Sequence, residues 1–110
     1  MEVVVLKLKP KIKKQITSVF SSNPKVTKVI LFGSRARGDS DERSDIDLAV
    51  ATSAMDIREK TRLTYLCNEL DTLLPIDLIW LDEASQPLKD QIKRDGVILY
   101  ELNKGKPKHV

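Results

Sequence analysis

The feature that most constrains this chain is an apolar run, Val26 to Phe32, that halts at Gly33-Ser34. Seven residues of this kind, rich in β-branched side chains, read as a buried strand, and the glycine lets the backbone turn sharply at its end. The polar stretch Arg35 to Ser44 follows, and a second strand is expected over Asp45 to Ala51. A helix before this pair carries Ile12, Ile16, Val19 and Phe20 at helical spacing after Pro10, and Asn23-Pro24 ends it. Residues 3–8 suit a short strand or a lead-in to that helix. Downstream, Ser53 with Asp56 resembles a capping box for a long helix whose apolar stripe is Ile57, Leu63, Leu66, Cys67, Leu70 and Leu74. Pro75 is expected to end that helix, and Ile76 to Leu81 to form a third strand. A short helix follows over Ser85 to Asp95, with Pro87 in its first turn and Gly96 as C-cap. Val97 to Tyr100 makes a last strand. Strands alternating with helices predict an α/β fold, a mixed sheet packed with helices.

The length of 110 residues suits one domain, expected over 1–102, followed by a basic flexible tail at 103–110. The longest apolar runs are a handful of residues, so no membrane span is expected, and no signal peptide is evident. The lone cysteine, Cys67, excludes an internal disulfide and fits a reducing cytoplasm; it is read as a packing residue. With one cysteine and one histidine, His109, a structural zinc site is excluded, and so is a histidine general base. Trp80 shares a strand face with Ile76 and Leu78 and is assigned to the core, and partial burial accounts for Tyr65 and Tyr100.

Charge is unevenly spread. Residues 1–28 hold seven lysines and one acid, Glu2, whereas 29–102 hold nine basic residues against fifteen acidic ones. Five acids fall between Asp39 and Asp47. A nucleic-acid binder with a continuous basic face would not look like this, and direct nucleic-acid binding is not expected. The basic N-terminal segment reads as a solvated face that could also dock an acidic partner.

Chemistry concentrates in Gly33-Ser34-Arg35-Ala36-Arg37-Gly38 and Ser44-Asp45-Ile46-Asp47-Leu48. A turn opening a helix presents free N–H groups to an anion, with the Ser34 hydroxyl beside them and Arg35 and Arg37 within reach of phosphate oxygens. Alone, such a turn is common in domains with no ligand. Asp45 and Asp47 lie two apart on a strand, so their carboxylates share one side, roughly 6.5–7 Å apart along the chain. Hard oxygens so placed suit Mg²⁺ or Mn²⁺; an exposed strand face bridged to Arg37 or Arg43 suits the pattern equally. Asp77 interrupts the apolar run Ile76 to Leu81, where an ionised carboxylate is costly unless paired or metal-bound. If its strand lies beside the Asp45–Asp47 strand, three acids converge and can hold two divalent ions for phosphoryl chemistry.

These motifs resemble the polymerase-β-like nucleotidyltransferase superfamily, and more narrowly its minimal prokaryotic nucleotidyltransferases. The resemblance runs over about residues 25–101. It implies a nucleotidyltransferase fold, with Gly33 and Ser34 holding the triphosphate of ATP. Asp45 and Asp47 would bind both metals, Mg²⁺ or Mn²⁺, and Asp77 would complete the metal site and assist deprotonation of the attacking hydroxyl. Arg37 would contact phosphate or orient the acids. The resemblance further implies an antitoxin that transfers AMP from ATP to a tyrosine of a HEPN-type RNase toxin. Two other readings stay open: a small-molecule acceptor presented with a helical partner subunit, and neutralisation of a partner by occlusion without catalysis. A domain this small has little room for an acceptor pocket, so a second chain is expected to supply the acceptor.

Overall fold

A computed structural model of the chain describes residues 8–38 and 45–102. Its elements run α1 (Pro10–Ser21), β1 (Val26–Phe32), α2 (Ser34–Arg37), β2 (Ile46–Thr52), α3 (Ile57–Asn68), β3 (Ile76–Trp80), α4 (Gln86–Asp95) and β4 (Val97–Glu101). A single turn of 3-10 helix, Leu81–Glu83, joins β3 to α4. The strands form one mixed sheet in the order β3-β2-β1-β4. β1 is antiparallel to both β2 and β4, while β2 and β3 run parallel. The α/β reading of the sequence therefore holds. The strand expected over 3–8 and the tail at 103–110 lie outside the described residues, Leu8 aside, which packs on the core.

The alternation along each strand divides the apolar residues between two faces. Val29, Leu31, Ile46, Leu48 and Val50 pack with Ile12, Ile16 and Phe20 of α1 and Leu63 and Cys67 of α3. Ile30, Phe32 and Ala49 point the other way and pack with Ile92 of α4. Both faces of the two central strands are thus covered, which explains why β1 reads as a continuous apolar run. Full burial of a side chain such as Phe20, which is 0% exposed, contributes about 1.5–3 kcal/mol.

Several boundaries differ from the sequence expectation. The cap of α3 is Asp56, not Ser53: its side chain accepts the Glu59 N–H, and the Glu59 carboxylate receives the Asp56 N–H in return. The helix also stops at Asn68, well before Pro75. The Asp71 N–H is taken by Gln15 Oε1 at 3.0 Å and the Asp71 carboxylate by Lys11 at 2.7 Å, which draws this segment toward α1 instead of into another helical turn. Leu70 and Leu74 still pack on the core from outside the helix. Ile57, by contrast, is 71% exposed and leaves the buried stripe, and Tyr65, expected to be partly buried, is 64% exposed on the outer side of α3. Ser85 caps α4, Pro87 sits in its first turn, and Gly96 ends it with ordinary extended backbone. Trp80 and Tyr100 are half-buried against the core as expected, and the Lys60 ammonium lies 5.4 Å from the Trp80 ring centroid.

Candidate active site

Three chain segments meet at one end of the sheet, on the face that α4 partly covers. β1 delivers Gly33 and the first turn of α2, β2 begins there, and β3 begins beside it. In the register of β1 and β2, Phe32 stands opposite Asp47. In the parallel register of β2 and β3, Asp47 stands opposite Asp77. Paired residues of adjacent strands project to the same face, so Asp77, Asp47 and Phe32 form one row across three strands. Asp45 lies two residues before Asp47, at the mouth of β2.

Gly33 makes this row possible. Its φ of 78° and ψ of −158° fall in a region that is open in practice only to glycine. A Cβ on it would overlap the Asp47 carboxylate. The bare backbone thus lies directly against the acid, and the chain then closes a tight turn: the Gly33 carbonyl accepts the N–H groups of Ala36 and Arg37, both at 3.1 Å. Ser34 opens this turn, half-buried, and Gly38 ends it in the left-handed conformation with φ of 84°. Such conformations are cheap only where no Cβ is present.

Electrostatics tie the acids together. Asp47 holds its proton more tightly than an ordinary carboxylate, first because burial strips water from it, then because Asp77 and Asp45 repel its charge. Arg35 and Arg37 pull in the opposite direction. Among the described residues, however, no three carboxylate, thiol or imidazole groups are gathered tightly enough to form a ready-made metal cage. The fit to a divalent cation rests on other grounds. Three hard-oxygen donors share an end of one face, the charges of Asp77 and Asp45 bear on Asp47, and a glycine leaves the neighbouring backbone accessible.

The structure alters two of the sequence expectations here. Asp77 is exposed, because β3 is an edge strand, so the argument from burial of an ionised acid does not apply to it; strand register and its charge on Asp47 place it in the row. Arg35, expected in reach of a bound phosphate, is only 6% exposed, although its charge still acts on Asp47. Arg37 is exposed. The signal lay in the spacing: residues two apart on a helix point roughly 200° away from each other, so only one of the two arginines can face outward. Cys67 plays no part, since burial pushes its thiol up to about 11.

The model of the family "Polymerase beta, Nucleotidyltransferase" matches residues 14–105. A Methanocaldococcus jannaschii protein, provisionally named a protein adenylyltransferase, is 28% identical over 97 residues, covering 84% of this chain and 96% of that protein. A crystal structure of a toxin–antitoxin with AMP-PNP contains a chain that is 30% identical, with a TM-score of 0.67 over 84% of this chain and 75% of that one. The structure of a tri-AMPylated Shewanella oneidensis HEPN toxin in complex with an MNT antitoxin gives a TM-score of 0.62 at 28% identity, covering 83% of this chain and 71% of that one. The row of acids, the glycine pressed against it and a family match across most of the chain agree, and the chain belongs to the polymerase-β nucleotidyltransferase family.

Proposed function

We propose that this nucleotidyltransferase is the antitoxin of a toxin–antitoxin pair and transfers AMP from ATP to a tyrosine hydroxyl of a HEPN-type protein. The observation that carries the reading is the Asp47–Asp77 register pair with the Gly33 backbone against it. The likeness to structures of AMP-PNP-bound and AMPylated toxin–antitoxin complexes supports the acceptor class. In this reading Asp45, Asp47 and Asp77 hold divalent cations, Mg²⁺ or Mn²⁺, which when bound neutralise phosphate charge. The Gly33 backbone and the Ser34 hydroxyl take the triphosphate, and the exposed Arg37 guanidinium pairs with its oxygens. The tyrosine oxygen attacks the α-phosphorus and pyrophosphate leaves. Asp77, open to solvent at the sheet edge, assists removal of the phenolic proton. The partner brings the nucleophile into line with the α-phosphate, and that positioning supplies much of the rate. AMP is bulky and anionic, and placed near an RNase site it repels RNA phosphates.

The test is direct. Incubation of the partner with this chain, labelled ATP and Mg²⁺ is expected to add AMP to the partner. Chelation with EDTA and the Asp45→Asn, Asp47→Asn double variant should each abolish the label. If the double variant still neutralises the partner without changing its mass, occlusion is the mechanism and the transfer reading fails.

A further inference from the structure

On the far side of the sheet from the acid row, α1 and β4 enclose a groove of about 520 Å³ lined by Pro10, Lys13, Lys14, Thr17, Ser18 and Leu99. No acid lines it. Among the described residues neither Lys13 nor Lys14 is in an ion pair, although Lys11, Lys25, Lys28 and Lys60 all are. The Thr17 hydroxyl is already engaged, donating to the Lys13 carbonyl at 2.9 Å. The groove therefore offers two unneutralised ammonium groups above an apolar floor.

Among the described residues, no strand pairs with the outer edge of β4 beside this groove. β4 is the last strand of the sheet and pairs only with β1 among the described residues. An open edge presents unpaired N–H and C=O groups to another extended chain. The register is irregular between Val29–Tyr100 and Ile30–Ile98, which leaves Leu99 as the extra residue of this strand. Its two faces differ in chemistry. Leu99 lies on the α1 side, under the lysines. Ile98 points to the opposite side and is 50% exposed, one of the few large apolar side chains left open.

We propose that the β4 edge and the α1 groove together bind a short extended protein segment that alternates acidic and apolar residues. Its acids face Lys13 and Lys14, and its apolar side chains cover Ile98. Side chains of an added strand alternate between the faces, so this pattern satisfies both at once. Charge complementarity selects an acidic segment over a basic one. Single-stranded RNA would also answer the lysines, but the groove lacks the aromatic platform on which bases stack.

The probe is a synthetic peptide of alternating Glu and Val, followed by fluorescence anisotropy and by NMR of the full chain. Saturable binding is expected, with shifts centred on Val97–Leu99, Lys13 and Lys14, and an affinity that falls as salt rises. The Lys13→Glu, Lys14→Glu double variant should bind at least tenfold more weakly, and so should Ile98→Asp. Arg62→Glu, on the exposed side of α3, should bind as wild type. Circular dichroism of each variant separates lost binding from lost fold. Absence of saturable binding overturns the proposal, as does unchanged affinity in the double lysine variant. Preferential binding of oligouridylate at the same amides would make the groove an RNA site instead. Self-association abolished by Ile98→Asp, with no peptide binding, would assign the edge to a second copy of the chain.

Discussion

A methyl group on Gly33 would occupy space already taken by the carboxylate of Asp47. Position 33 therefore faces two independent constraints, a backbone conformation reserved for glycine and a contact that tolerates no side chain. Gly33→Ala is expected to cost about 1–3 kcal/mol from backbone strain alone, read as a lower urea midpoint. The clash adds to that cost. The two parts are separable: in a Gly33→Ala, Asp47→Ala double variant the overlap is gone and the strain remains. The double variant should be more stable than the sum of the single changes, and strict additivity would mean that the contact carries no energy.

Asp47 and Asp77 share a register position but not an environment, and their substitutions should separate on stability. Burial and the charges of Asp77 and Asp45 raise the Asp47 pKa above the ordinary 3.8. The folded chain then binds that proton more tightly than the unfolded chain does. The stability this proton linkage contributes is fully present below the ordinary value and is lost as pH rises through the raised one. Asp47→Asn removes the linkage. In metal-free buffer its Tm advantage over the parent chain should grow as pH is raised from about 3.5 toward 7, and Mg²⁺ should shrink it. Asp77→Asn, at an exposed position, should move stability by no more than about 0.5 kcal/mol while abolishing AMP transfer.

The fold was legible where periodicity and breakers agreed. β1 was expected at its observed bounds because an apolar run ends in a glycine, and α4 because Ser85, Pro87 and Gly96 frame it. The row of acids was legible in part. Alternation placed Asp45 and Asp47 on one side, but only the sheet order could say that β3 is an edge strand and that Asp77 is exposed. Burial of Arg35 is likewise a tertiary property, since local sequence treats it and Arg37 alike. Just past the early end of α3, Asp71 is held by Lys11 and Gln15, 60 and 56 residues away, contacts that no local pattern encodes.

The start of α3 supplies a clean comparison. Asp56 closes a reciprocal capping box with Glu59, whereas Ser53 stands outside the helix. Asp56→Ala should destabilise the chain by about 1 kcal/mol, the usual cost of losing such a cap. Ser53→Ala should leave the denaturation midpoint unchanged. A stronger effect at Ser53 than at Asp56 would contradict the observed helix start.

Arg35 and Arg37 should divide stability from binding. Arg35 is 6% exposed, so its long side chain fills interior volume as well as placing a positive charge near Asp47. Arg35→Ala leaves a void and removes that charge, and a loss of roughly 2–4 kcal/mol in unfolding free energy is expected. Arg35→Met refills much of the volume without the charge and should recover part of the loss, which separates packing from electrostatics. Arg37 is exposed on the opposite side of the same short helix, with little packing to lose. Arg37→Ala should shift stability by no more than about 0.5 kcal/mol, yet weaken Mg²⁺-ATP binding by roughly 1–3 kcal/mol, the scale of a charge-assisted contact to phosphate. Chemical denaturation and calorimetric titration of ATP on the same four proteins read both quantities. Should Arg37→Ala bind ATP like the parent while a folded Arg35→Met does not, the triphosphate lies on the buried side of α2, and the assignment of the two arginines must be exchanged.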